Sequence, residues 1–136
     1  MQDILQREEA ANGKEARQHL QFVLATTDHL DDVMGGLSFL KATPAIDARR
    51  LAIVGHSFGG QLTLLAAERD NTIRAAMTVS AAAGSWERSP ELRERLLTAV
   101  DKTTAPINWF RRRTITARHQ ATPWPMNWNV CTSLIC

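Results

Sequence analysis

Apolar positions recur along this chain with two different periods, and the switches between them outline an α/β order. Residues 3–24 are mostly good helix formers, interrupted at Asn12-Gly13. The piece "QFVLA" at 21–25 has some strand character, but its neighbours favour helix. Next, Leu30, Val33, Met34, Leu37 and Leu40 fall at i, i+3, i+4, i+7 and i+10, which predicts an amphipathic helix. Thr27 or Asp28 is expected to cap its start, and Thr43-Pro44 to end it, because the residue before proline avoids the helical region. "LAIVG" is a short apolar run bounded by arginines and a glycine, and predicts a buried strand. Leu62, Leu64, Leu65 and Ala66 then support a helix that ends near Asp70-Asn71. "IRAAMTVSA", 73–81, predicts a second buried strand, and Ser89-Pro90 opens a further helix with Glu91 and Glu94 near its start. A helical crossover between two apolar strands is the mark of a parallel sheet. The fold class is therefore α/β, with parallel strands at about 51–56 and 73–80 and flanking helices.

With 136 residues, 44% of them hydrophobic and 22% charged, the chain is long enough for one core. It contains no run of 18 apolar residues, so no membrane span and no membrane partner are expected. Its charged N-terminus has no apolar leader pattern, which points to a cytoplasmic protein. The two cysteines, Cys131 and Cys136, form neither a disulfide framework nor a zinc-ligand pattern, and no metal or cofactor is expected. The net charge of +2 hides an asymmetry. Residues 1–108 carry twelve Lys/Arg against fourteen Asp/Glu, whereas 109–136 carry four arginines, no acid and three of the four tryptophans. Such a shift predicts a boundary: a domain over 1–108, then an atypical basic, Trp-rich tail over 109–136.

The chemistry concentrates at "GHSFGG", residues 55–60. As a bare pattern G-x-S-x-G is weak, but an apolar strand runs into it and an amphipathic helix follows at once, the setting a nucleophile elbow requires. In so tight a turn the serine takes a strained backbone conformation and bulky neighbours two positions away clash. Gly55 and Gly59 are read in those terms, and Gly60 as the residue that lets the helix approach the strand. The turn lifts the Ser57 hydroxyl clear of the sheet, and the Phe58 N–H, at a helix N-terminus, is placed to meet an oxyanion. His56 reads as a packing residue turned away from the serine. His19 and His29, on upstream helices, read as surface residues.

The stretch from "HLDDVMGGLSFLKATPAIDARR" through "LAIVGHSFGGQLTLLAAE", followed by "IRAAMTVSAAAGSW", resembles the α/β-hydrolases, in particular their dienelactone-hydrolase and prolyl-oligopeptidase-like branch, over roughly residues 28–108. The resemblance implies a nucleophile at Ser57, one oxyanion donor at Phe58 N–H, and a small-molecule ester, lactone, thioester or short-peptide substrate. It also implies that "APINWF" begins the strand ahead of the acid. Many dienelactone hydrolases carry cysteine at the nucleophile, so Ser57 points to the serine-using relatives.

In that fold the acid and then the histidine follow the serine in chain order. Here Glu68, Asp70, Glu87, Glu91, Glu94 and Asp101 all read as solvated helix or turn charges, and His119 sits in a stretch with no strand or loop signature. No strand pattern precedes residue 51 to carry the loop for a second oxyanion donor. The resemblance thus implies a serine hydrolase that is incomplete in this chain. Two other readings stand beside it: a catalytically inactive hydrolase fragment, and, ranked lowest, a basic nucleic-acid-binding module using arginines 111–113 with Trp124 or Trp128. For the tail itself the favoured expectation is a lost reading frame near codon 110. One permissible codon set for 110–130, read one base back, gives QAENDYGTPPSHTLADELER, which resembles the family's acid-bearing loop and a following helix. Nucleotide sequencing checks it: the −1 frame from codon 110 is expected to encode an acid-rich helix, and a frame without one overturns the idea.

Overall fold

The computed structural model describes residues 2–82 and 85–110. Helix α1 (Gln2–Thr26) is two helices joined across Gly13, whose φ of 88° breaks the ladder where the sequence pattern is interrupted. "QFVLA" lies within it as helix. Helix α2 (Asp28–Ala42) follows almost without a loop. Thr27 occupies its N-cap position but makes no capping bond, contrary to expectation. The reason is the continuity of the chain there. Thr27 N–H still reaches Val23 O at 3.0 Å and Asp31 N–H reaches Thr27 O at 2.9 Å, so the hydroxyl donates back to Val23 O instead. Leu30 and Leu37 are buried, while Leu40 is 39% exposed. At 100° per residue, i+10 falls about 80° off the centre of the stripe. Thr43 ends α2 as its sequence predicts.

Asp47 accepts from Arg49 N–H at 3.0 Å and opens a short 3-10 turn, Ala48–Arg50, that delivers the chain to β1 (Ala52–His56). Helix α3 (Phe58–Arg69), β2 (Ala75–Val79), α4 (Pro90–Lys102) and β3 (Ile107–Phe110) complete the described chain. The sheet is parallel in the order β1-β2-β3, with Ile53 opposite Ala76 and Ala76 opposite Ile107. The α/β class and both predicted strands are present, and "APINWF" supplies the third. That strand continues through Trp109 and Phe110, two residues past the compositional boundary at 108; residues 111–136, with the rest of the basic segment, lie outside the described residues. Ser89 caps α4 by accepting from Leu92 N–H at 3.3 Å, with Pro90 in the first turn.

Two successive β-α-β crossovers of the same hand place α3 and α4 on one face of the sheet. Ile53, Ile107 and Trp109 of that face pack against a buried cluster that includes Leu64, Leu65 and Leu96, and Leu30 and Leu37 of α2 join the same core. The other face carries Val54, 67% exposed, and Phe110, 52% exposed. The strands are therefore not buried on both sides, as their apolar runs suggest. Among the described residues the helices cover one face only, and β1 is an edge strand. No helix among the described residues is long and apolar enough to cross a membrane.

Two acids that read as solvated are built into the packing. Glu68, its side chain 13% exposed, meets Arg95 at 2.6 Å and Lys102 at 3.9 Å and so ties α3 to α4. Asp70, 8% exposed, bonds Lys41 at the end of α2 and accepts from both Thr72 N–H (3.0 Å) and Thr72 Oγ1 (2.7 Å). Spacing alone does not show the basic partners, because Lys41, Arg95 and Lys102 come from other elements. Burial pushes the Asp70 carboxyl upward, but the hydrogen bonds from Lys41 and Thr72, with the Lys41 charge, outweigh it and hold the group below its ordinary 3.8. A depressed folded value stabilises the native state above the unfolded carboxylate range, and that contribution is lost as pH falls from about 4 through the folded value. Asp70→Asn is expected to cost roughly 1–2 kcal/mol at neutral pH, less than for a fully buried pair because Lys41 is partly exposed, and to flatten the acid limb of stability. Urea unfolding at pH 7 and across pH 2–5 checks both.

Candidate active site

The turn between β1 and α3 is shaped by how closely the helix lies on the strand. A Cβ at Gly55 would sit 2.1 Å from Gly59 O and 2.4 Å from Thr63 Oγ1. A Cβ at Gly60 would sit 2.8 Å from Ala81 Cβ and 3.2 Å from Gly55 O. Neither position has room for a side chain, and Gly60 is what lets α3 settle against the end of β2. Gly59 is different. A Cβ there meets nothing within 4 Å, so the expected clash is absent. The tight approach is made by the backbone of residue 59 against Gly55, and the missing side chain at 59 plays no part in it.

Ser57 takes up the turn with φ 53° and ψ −112°. The positive φ is the strained conformation the motif implies. Its N–H donates to Val79 O at 2.9 Å, which fastens the elbow to the neighbouring strand. Its carbonyl accepts from Gly60 N–H at 3.1 Å and Gln61 N–H at 3.3 Å, the first bonds of α3. The side of Ser57 away from the sheet is exposed, and among the described residues its hydroxyl has no hydrogen-bond partner. Nor does any described backbone group accept from the Phe58 or Gly59 N–H, both orphan donors of a helix N-terminus. An exposed hydroxyl thus stands beside two uncommitted N–H groups and the positive end of a twelve-residue helix.

His56 is exposed, not packed. Strand alternation puts it on the open face of the sheet with Val54, where no described helix covers it. His19 is at the surface, its side chain 67% exposed, 3.5 Å from Glu91. His29 departs from its surface reading. Its side chain is only 29% exposed, its Nε2 is shielded from solvent, and its ring stands perpendicular to the Phe58 ring at a centroid distance of 5.5 Å. One signal for this is in the sequence: at 100° per residue His29 falls next to Val33 on the margin of the apolar stripe. The loop after β2 was also missed. Ser80 and Ala82 both have positive φ, at 53° and 55°, and between them Ala81 is held against Gly60. No described histidine or carboxylate bonds Ser57, and no three described His, Cys, Asp or Glu side chains converge as a metal site would need. His119 lies outside the described residues.

The glycine geometry separates three positions of one motif. Gly55→Ala is expected to cost about 3 kcal/mol or more, since backbone of the next helix would have to move. Gly60→Ala should cost roughly 1–3 kcal/mol. Gly59→Ala should be neutral or gain up to about 1 kcal/mol from helix propensity. Chemical denaturation of the three variants measures the order, and a destabilised Gly59→Ala variant would contradict it.

A family model described as the prolyl oligopeptidase family matches residues 10–125, most of the chain. No curated protein and no solved structure matches it. The match takes in α2, the elbow and all three strands, and runs on through the first part of the basic segment. On that span, the chain belongs to the prolyl oligopeptidase family, within the α/β-hydrolase superfamily.

Proposed function

We propose that the chain derives its chemistry from a serine hydrolase acting on acyl bonds, with Ser57 as nucleophile and Phe58 N–H as one oxyanion donor. Family membership supports the hydrolase class. The single observation that carries the residue assignment is the exposed Ser57 hydroxyl on a positive-φ turn at the head of α3. In this reading Ser57 Oγ attacks the acyl carbon and its proton passes to a base. The carbonyl oxygen becomes an oxyanion that accepts from Phe58 N–H, and the leaving group departs with a proton to give an acyl-serine that water then cleaves. The substrate class we assign is a carboxylic ester, lactone or related acyl bond, as in dienelactone-hydrolase-like enzymes. Serine at position 57 supports a likeness to the serine-using members of that group.

A serine hydroxyl needs a base, and the base an orienting acid. Neither stands next to Ser57 among the described residues, so both are assigned to sequence outside them. The same observation favours a second reading, a hydrolase-like domain that is itself inactive. A fluorophosphonate probe on the full chain separates the two. Covalent labelling lost in Ser57→Ala is the expected result. A folded chain that takes no label supports the inactive reading.

A further inference from the structure

The Phe58 N–H is one of the donors that α3 leaves without an acceptor at its N-terminus. It makes no described backbone hydrogen bond, and neither does the Gly59 N–H after it. Gly59 has no side chain, and a Cβ there would meet nothing within 4 Å. The carbonyl of the Ser57–Phe58 peptide accepts from Gly60 N–H and Gln61 N–H, which orients the peptide from the helix side, and the Phe58 side chain bears on it from the other. Ser57 is pinned through Val79. The Phe58 ring has one aromatic partner among the described residues, the His29 imidazole.

The way His29 is held is unusual for a histidine on a helix. Its Nδ1 lies 4.0 Å from Asp32 Oδ2, beyond hydrogen-bond range, and its shielded Nε2 has no partner. Leaving a shielded polar nitrogen unpaired has a cost. What the position gains is a flat ring set perpendicular to Phe58, a preferred aromatic arrangement. Helix α2, which carries His29, is itself fixed to α3 by Asp31–Arg69 at 2.6 Å and by the Lys41–Asp70 pair, so the ring contact rests on a braced support. We infer that His29 is a positioning residue: through the Phe58 ring it holds the backbone N–H that receives the oxyanion. This inference rests on the assignment of Phe58 N–H as oxyanion donor in the reading above. His29 itself touches neither the nucleophile nor the substrate.

Three substitutions of the full chain separate ring from nitrogen. His29→Phe keeps a flat ring, His29→Gln keeps a polar nitrogen without the ring, and His29→Ala removes both. In 15N–1H spectra the Phe58 amide peak is expected to move in His29→Ala and His29→Gln and to return in His29→Phe. Its hydrogen exchange should follow the same order. A general loss of stability would lower the melting temperature without singling out that amide. The rate of fluorophosphonate labelling should fall roughly tenfold in His29→Ala, short of the ~100-fold that removing an oxyanion donor costs, and recover in His29→Phe. Ser38→Ala, at an exposed site on α2, should label like the unaltered chain. An unmoved Phe58 amide in a folded His29→Ala chain overturns the inference. So does a His29→Phe chain that behaves like His29→Ala, or labelling that is unchanged by loss of the ring. If His29→Ala does not fold, the Phe and Gln variants decide the matter alone. If the unaltered chain takes no probe, the nucleophile reading fails, while the amide measurements still settle whether His29 positions Phe58.

Discussion

The absence of a Cβ at Gly55 is the constraint on which the other features depend. Helix α3 lies so close to β1 that the carbonyl of residue 59 occupies the space a side chain at 55 would need. That approach forces the reversal at Ser57, and the positive φ follows from it. It also brings Gly60 onto Ala81 and so fixes where the chain leaves β2. Once α3 is seated, its buried residues, Leu64 and Leu65 among them, become the centre onto which α2 and α4 pack. A local steric allowance of one atom thus sets the placement of three helices.

Charge finishes what the close approach begins. Apolar packing is non-directional and does not by itself fix how one helix is rotated against another. Glu68 links α3 to α4, and Asp70 links the end of α3 to the end of α2. Both carboxylates leave α3 at its C-terminal end, the end opposite the elbow. The helix is thus held sterically at its head and electrostatically at its tail, and its exposed N-terminal donors sit at the sterically held end.

The backbone plan was legible because each element announces itself locally. Pro44 and the Ser89-Pro90 pair punctuate the chain through their own fixed φ and missing N–H, whatever surrounds them. The strand into "GHSFGG" and the helix out of it follow from composition over a dozen residues. What the sequence did not disclose was always a relation between distant elements. Gly55 and Gly59 look equivalent in the motif, yet only the helix lying on the strand shows that 55 faces backbone and 59 faces space. Asp70 looks like any turn acid until Lys41, twenty-nine positions away, is brought to it. His56 reads as packed because the strand looks apolar throughout, and only the one-sided cover by α3 and α4 shows that its face is open. His29 is hardest to see, since its partner, Phe58, lies across a strand and two turns of chain. For the candidate site this means that the strand–turn–helix around Ser57 was readable, while the contacts that support it were not.

The contacts that define the elbow all fall within residues 51–82: the strand, the turn, the helix, the Val79 bond to Ser57 and the Ala81 seat for Gly60. Such a β-α-β stretch pairs Ala52 with Ala75, so its geometry is written in one contiguous piece of sequence. The elbow's shape is therefore a property of that one stretch of chain. Its reactivity, on the reading proposed above, needs a base and an acid from outside the described residues. Geometry and chemistry at Ser57 are thus separable in sequence, and a chain can carry the form of a nucleophile without the groups that would activate it.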